Sequence, residues 1–407
     1  MFMFRTLDDF DPRGKRILVR TDLNVPTKDG EITDTTRIDR SAITIRELSK
    51  RGGRVIIITH FGRPKGVEEK YSQKLLLKPL IKAVNHQITW ADNVIGSKTI
   101  MEVNKLKDGD IILLENVRFH LEEEKNDPIF ARQLADLGQI YVNDAFSTSH
   151  RAHASTEAIA RLLPAYAGRL MQSELVALSK ALDHPEKPVV AIVGGAKIST
   201  KLDLLGNLVN RVDFLIIGGG MANTFLFAQG KAVGKSLCER DMSSIALSII
   251  EKSKIANCRI ILPIDVVISS QLAEHSEYTV VSVDRVPDDM LILDAGPESV
   301  KIMIDCLRKC KTLVWNGPLG AFEIKPFDVT TNSLAQIAAE LTKKVNLLTV
   351  AGGGDTVSAL INAGVINDFS YISTAGGAFL EWLEGKTLPG VLALELTNHV
   401  TANNKIK

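Results

Sequence analysis

The chain has 407 residues, more than one hydrophobic core usually serves, so two domains, or three, are the starting expectation. Hydrophobic residues at 45% and charged residues at 24% describe an ordinary globular chain, with a formal net charge of only +1. Residues 1–170 hold 27 Lys+Arg against 23 Asp+Glu, and the remainder 22 against 25; this asymmetry, +4 against −3, is too mild to indicate a nucleic-acid binder. The N-terminal stretch lacks the charged start, apolar core and small-residue cleavage site of a signal peptide, and no apolar run reaches the ~18 residues of a membrane span. Cys238, Cys258, Cys306 and Cys310 form no Cys-x-x-Cys pair, which favours reduced cytoplasmic thiols over a metal site or disulfides.

In chain order, short runs rich in Val, Ile and Leu recur at Ile17–Arg20, Val55–Thr59, Ile111–Leu114 and Ile140–Val142. They continue at Val189–Val193, Phe214–Ile217, Arg259–Leu262, Thr312–Val314, Leu347–Val350 and Tyr371–Ile372. They do not alternate with polar residues, which suits strands buried on both faces. Segments of helical period lie between most of them. Ile38, Ala42, Ile45 and Leu48 make one apolar stripe, stopped by Gly52-Gly53. Leu202, Leu205 and Val209 make another, with Ser199 as its expected N-cap. Strand–helix alternation of this length predicts an α/β protein of two doubly wound, Rossmann-like parallel-sheet lobes. A helix at about Met171–Leu182 and a Pro-flanked turn divide the chain into 1–170, an interdomain helix and hinge at 171–188, and 189–388. The stretch 389–407 is too short to be a domain. No low-complexity tract or short-period repeat is present.

Open parallel sheets bind ligands beyond the carboxyl ends of their strands. In the first half those ends carry "TDLNVP", "HFGRP", "ENVRF" and "NDAFSTSHRAHAS". These place Arg20, Asp22, Asn24, His60, Arg63, Arg118, Arg151 and His153 on one rim, and Arg37 opens the next helix. Any one of these arginines could pair with a local acid such as Asp22, Glu115 or Asp144. Five gathered together point instead to a small, highly charged anion, because forked guanidiniums match carboxylate and phosphate oxygens. A polynucleotide site would want aromatic stacking platforms, and aromatics are only 5%.

The second half repeats the layout with glycine: "GGAKISTK" with Lys197 and Lys201, "GGGMANTF", "WNGPLGAFE", "GGGDT" and "STAGGA". Glycine lets backbone N–H groups approach a phosphate closely, and several such loops on one edge point to a polyphosphate ligand. Val350–Val357 ("VAGGGDTV") resembles a phosphate loop that ends in Gly-Asp-Thr rather than Gly-Lys-Ser/Thr. An acid there fits Mg²⁺, which is held by one or two carboxylates plus phosphates. Two decoys fail. Gly230–Ser236 has Gln229 where a Walker loop needs glycine, and no loop matches the dinucleotide fingerprint Gly-x-Gly-x-x-Gly. A nicotinamide-dependent dehydrogenase and a non-catalytic anion-binding protein remain the alternatives to phosphoryl transfer.

Nine of these segments, from "RTDLNVP" to "STAGGA", resemble in type and order the motif series of the phosphoglycerate kinase family and span nearly the whole chain. The resemblance implies reversible transfer of the acyl phosphoryl group of 1,3-bisphosphoglycerate to ADP, giving 3-phosphoglycerate and ATP with Mg²⁺. It implies a cytoplasmic monomer that closes on a hinge, with the C-terminal segment returning to the first lobe. By position, it implies that Asp22, Leu23, Asn24, Arg37, His60, Phe61, Gly62, Arg63, Arg118, Arg151 and His153 bind the phosphoglycerate. Arg37 and Lys197, with backbone N–H groups of Gly376 and Gly377, would stabilise the transferring group. Lys201, Gly296, Asn316, Glu323, Gly353, Gly354, Asp355 and Thr356 would bind the nucleotide, Glu323 at the ribose and Asp355 at the metal. Two positions depart from the family pattern. Leu23 replaces a phenylalanine and is expected to pack; Ala375 replaces a glycine, so a positive φ is not expected there.

Overall fold

The structure, a computed structural model, describes residues 4–395. The strands in chain order are β1 (Arg16–Arg20), β2 (Thr27–Lys28), β3 (Glu31–Ile32), β4 (Arg54–Ile58), β5 (Ile88–Trp90), β6 (Ile111–Leu113), β7 (Ile140–Asn143) and β8 (Ala165–Ala167). They continue with β9 (Val189–Val193), β10 (Phe214–Ile217), β11 (Arg259–Ile261), β12 (Asp265–Ser269), β13 (Thr279–Ser282), β14 (Leu291–Ala295), β15 (Thr312–Asn316), β16 (Leu348–Gly352) and β17 (Tyr371–Ser373). The chain divides into two compact units, residues 4–176 with 387–395, and Ala177–Lys386.

The first unit is built on a six-stranded sheet of order β5-β6-β4-β1-β7-β8, parallel throughout. Its central strands are the apolar runs: Ile17, Leu18, Val19 and Val55–Ile58 are fully buried. The stripe Ile38, Ala42, Ile45 and Leu48 lies on the helix Thr36–Lys50 and packs into the same core. Gly52, at φ 82°, lets the chain turn into β4. Residues 387–395 belong to this unit, where Gly390 N donates to Ser149 O (2.9 Å).

The second unit has a six-stranded parallel sheet of order β11-β10-β9-β15-β16-β17. A three-stranded antiparallel sheet, β13-β12-β14, joins it over its own small core of Val266, Ile268, Val283 and Val286. This sheet is absent from the sequence-based expectation. Cys306 and Cys310 pack in the main core of this unit, where the Cys310 thiol faces the Cys306 carbonyl one helical turn back.

Two helix expectations are corrected. Ser199 does not cap the helix Leu202–Leu208; it sits in a preceding 3-10 turn and donates its hydroxyl to Glu239 Oε1 (2.5 Å). The predicted helix at Met171–Leu182 is an α-helix over Arg169–Leu178 followed by a π-type turn, Ser179–Asp183. Its first turn is fixed by Asp144, at the end of β7, which accepts from Leu170 N (2.8 Å) and Met171 N (3.2 Å).

The loops after β9 and β15 pass so closely that a Cβ at Gly194 would lie 1.7 Å from Pro318 O. Gly194→Ala should therefore lower the urea midpoint of unfolding, by about 1–3 kcal/mol of stability. Gly206→Ala, in an open helical position with nothing within 4 Å of the added atom, should be neutral or stabilising. Equal midpoints for the two variants would contradict this packing.

Candidate active site

In the first unit, the ends of β1, β4, β6 and β7 converge on a polar network. Asp22 follows β1 directly. Its Oδ2 accepts from Arg37 Nη1 (2.5 Å) and Ser147 Oγ (2.5 Å), and its Oδ1 from Asn24 N (3.0 Å). Burial alone would raise this carboxyl. The facing His60 edge, the Arg37 charge and the bonds from Ser147 and Asn24 prevail and hold it below the usual carboxylate range. Asn24 Oδ1 accepts from Gly62 N (2.8 Å), and Arg118 Nη1 donates to Gly62 O (2.7 Å), so "TDLNVP", "HFGRP" and "ENVRF" are tied into one surface.

The expected arginines separate into three kinds. Arg20 is not on the rim: it is 1% exposed, and it donates to Ser155 Oγ (2.8 Å), Thr21 O and His60 Nδ1 (3.2 Å). Arg20 ends a strand rather than following one, which turns its side chain inward as a support. Arg37 and Arg118 are half-committed, Arg37 to Asp22 and Arg118 to Gly62 O with Glu124 Oε1 at 3.3 Å from its Nε. Arg63 and Arg151 are exposed, and among the described residues no ion pair engages either. Glu115 pairs with no arginine; it accepts from Ser72 Oγ (2.6 Å) and from Gln73 N and Asn116 N (2.7 Å each). Leu23 and Phe61 point into the core, so only their backbone faces a ligand.

His60 and His153 register the positive field. Burial, assisted by Arg20, Arg118 and Arg37 and opposed by Asp22, pushes the His60 imidazole well below its ordinary value. Burial together with Arg20, Arg118, Arg151 and His150 lowers His153 to about 4. Both rings are neutral at pH 7. An incoming anion is the natural complement to such a field.

In the second unit, the strand ends surround a cavity of about 410 Å³. Gly195, Gly219, Gly220, Gly320, Glu323 and Asp355 contribute to its polar and glycine wall. Its apolar wall comes from Leu237, Pro263, Leu272, Leu291, Leu293 and Phe322, dimensions and chemistry suited to a heteroaromatic ring. Sequence reasoning misses this wall because it draws on separated segments, of which Leu291–Ala295 and Pro318–Ile324 are the contiguous ones. Gly296 does not line the cavity. It is buried behind it, where its N donates to Asp265 O (2.8 Å).

Beside the cavity a buried knot joins β9, β15 and β16. Lys201 Nζ donates to Gly194 O (2.6 Å), Asn316 Oδ1 (2.7 Å) and Asn316 O (3.2 Å). Asn316 Nδ2 donates to Gly352 O (2.8 Å), and Gly317 N to Thr356 Oγ1 (2.7 Å). Lys201 and the side chains of Asn316 and Thr356 thus hold the loops in place. Lys197, Glu323, Gly354 and Asp355 are exposed, and Gly353 precedes the helix Gly354–Asn362, whose free amides face outward. In "STAGGA", the positive φ falls on Gly376 (56°), ahead of the helix beginning at Gly377, and not on Ala375. Alanine is therefore accommodated there without strain.

Two parallel-sheet units, one edged with arginines and the other with a glycine-walled chamber, fit a phosphotransferase of the α/β class. The phosphoglycerate kinase family model matches residues 7–386, and the chain belongs to that family. It is 58% identical over 393 residues to the phosphoglycerate kinase of Bradyrhizobium diazoefficiens, covering 97% of this chain and 99% of the relative. Against that of Brucella abortus it is 57% identical over 394 residues, covering 97% and 100%. The solved phosphoglycerate kinase of Coxiella burnetii superposes with a TM-score of 0.91 at 41% identity, covering 96% of this chain and 99% of that one. The enzyme from Pyrococcus horikoshii superposes at 0.76 and 29%, covering 98% and 100%. The protein is a glycolytic kinase that transfers phosphoryl groups to and from a carboxyl acceptor with ATP and ADP.

Burial lowers Lys201 to about 8, with Asp355 opposing. The ammonium form favours a polyphosphate, so affinity is full below that value and declines as pH rises through it. ADP affinity measured by calorimetry should fall from about pH 8 upward, where the nucleotide's own phosphates, with a second pKa of about 6, no longer titrate. Lys201→Arg should flatten this profile; an unchanged profile would remove Lys201 from the site.

Proposed function

We propose that the first unit binds 3-phosphoglycerate or 1,3-bisphosphoglycerate and that the second binds the adenine nucleotide as its Mg²⁺ complex. The observation that carries this reading is the contrast between the two strand edges: guanidiniums with spare donors on one, a glycine-lined chamber on the other. In the first unit, Arg63, Arg118 and Arg151 take the phosphate and carboxylate oxygens, with Asn24, His60, His153 and the backbone of Leu23, Phe61 and Gly62 completing the shell. Asp22 orients Arg37. In the second, Glu323 meets the ribose, and Gly353, Gly354, Thr356 and Lys201 form the seat of the phosphate chain. Asn316 and Gly296 act on the nucleotide by shaping that seat.

Asp355 fits a Mg²⁺ ion. It is an exposed carboxylate on the cavity wall, and the described residues hold no group of three carboxylate, His or Cys ligands that would form an all-protein cage. One carboxylate suits an ion held otherwise by phosphate and water. The ion neutralises phosphate charge when bound. Direct in-line transfer asks the protein to position groups and neutralise charge rather than to form a covalent intermediate. Arg37, Lys197 and the N–H groups of Gly376 and Gly377 supply that neutralisation at the transferring group. Among the described residues no helix is long and apolar enough to cross a membrane, and we place the enzyme in the cytoplasm as a monomer.

A coupled assay with ATP, Mg²⁺ and 3-phosphoglycerate should give turnover; none under any pH or salt condition would defeat the reading. Arg37→Ala should lower kcat by about 10²–10³ while leaving ATP affinity near wild type, because its charge acts mainly on the transition state. A near-wild-type kcat would exclude Arg37 from the transfer step. Asp355→Asn should weaken Mg²⁺–ATP more than metal-free ATP in paired titrations, whereas equal weakening would speak against a metal contact.

A further inference from the structure

Behind the anion site of the first unit lies a buried chain of groups that no part of the transfer step uses. Glu123 is 0% exposed. Its Oε1 accepts from Ser155 Oγ (2.6 Å) and its Oε2 from Ser155 N (2.9 Å). Ser155 has a single hydroxyl proton, and it is given to Glu123. Its oxygen is therefore free to accept from Arg20 Nε, at 2.8 Å. Arg20 Nη2 in turn reaches His60 Nδ1 at 3.2 Å.

The direction of this chain is fixed by chemistry. A guanidinium has donors only, so His60 Nδ1 must be the acceptor. The ring proton of the neutral imidazole is then on Nε2, which stands 4.0 Å from Asp22 Oδ1. The opposite tautomer would set an N–H against the Arg20 N–H and turn a lone pair toward the Asp22 carboxylate. Both ends of the ring disfavour it.

We propose that Glu123, Ser155 and Arg20 are positioning residues of the phosphoglycerate site: the relay Glu123–Ser155–Arg20 locks His60 in the Nε2–H tautomer and so sets the hydrogen-bond face that site offers. This rests on the assignment of His60 to phosphoglycerate binding for its functional consequence, though not for the tautomer itself. Arg20 is a buried cation that gives Nε to Ser155 and Nη2 to His60 while its Nη1 serves Thr21 O, and Glu123 lies at the far end of the relay. The relay lies wholly within one unit and connects β1, the end of β4, the segment between β6 and the helix Pro128–Ala135, and the segment following Arg151.

The test is a nitrogen-15 spectrum of the histidine-labelled enzyme without substrate at pH 7, with His60 identified by its loss in His60→Gln. The expected spectrum has a bare Nδ1 and a protonated Nε2. Ser155→Ala, which cuts the relay without changing charge, should give mixed tautomers. It should also raise KM for 3-phosphoglycerate roughly threefold to tenfold, the scale of one net hydrogen bond, with KM for ATP unchanged. Ser155→Thr, which keeps the hydroxyl, should restore both readouts. A wild-type His60 protonated on Nδ1 overturns the proposal, and this decides the matter even if Ser155→Ala fails to fold. So does a folded Ser155→Ala that keeps the wild-type tautomer and KM. Lack of turnover by the wild type would defeat the functional assignment while leaving the tautomer measurement intact.

Discussion

A parallel strand must stop somewhere, and where it stops its last peptide groups lose their ladder partners. Leaving them buried and unpaired would cost on the order of 1–3 kcal/mol each. This constraint organises both units. At the ends of β9, β15 and β16, the carbonyls of Gly194, Asn316 and Gly352 are taken up by Lys201 and by the Asn316 amide. In the first unit Asn116 Nδ2 serves Phe61 O (2.8 Å) and Tyr71 O (2.9 Å), and Arg20 serves Thr21 O. The side chains that close the sheets are thus polar, buried and rigid. The side chains left over at the same edges are polar, exposed and available. Closing side chains and available ones can lie within a few positions of each other, as Lys201 and Lys197 do.

The two units solve the problem of holding an anion differently. The first uses guanidiniums, which stay charged however deeply they are buried. Their collective field falls on the histidines beside them, which remain neutral. The second unit has fewer cations at its edge and offers backbone amides, supplemented by one half-buried lysine, Lys201, whose proton is held less tightly. An anion at the second edge would therefore meet mostly fixed dipoles, while one at the first would meet full charges.

Much of this was legible in the sequence, for physical reasons that also set its limits. The central strands announce themselves because burial on both faces demands unbroken apolar runs. β5 is an edge strand whose Thr89 is exposed, and β8 reads Ala-Tyr-Ala, so neither carries a run of Val, Ile and Leu. β13 is largely exposed, so neither its composition nor its period marks it, and the antiparallel sheet goes unseen with it. The polar residues at the strand edges were legible because they follow the apolar runs. Arg20 was misread because one position decides whether a side chain turns in or out, and composition does not record that. Glu123 carries no motif, and Ser155 closes "NDAFSTSHRAHAS" with nothing to mark its role; only the fold brings them to Arg20. Ser199 looked like a cap until Glu239, forty residues on, claimed its hydroxyl.

The chain's path has a consequence for how the protein is made. The second unit is one continuous stretch, Ala177–Lys386, whereas the first includes residues 387–395 as well as 4–176. Synthesis runs from the amino end, so the second unit has all its residues before the first does. The sheet of the first unit can be assembled early, but Gly390 meets Ser149 only after the whole second unit has been synthesised. The first unit, begun before the second, is thus completed after it, and a message cut short after Lys386 would encode one whole unit and one lacking its closing segment.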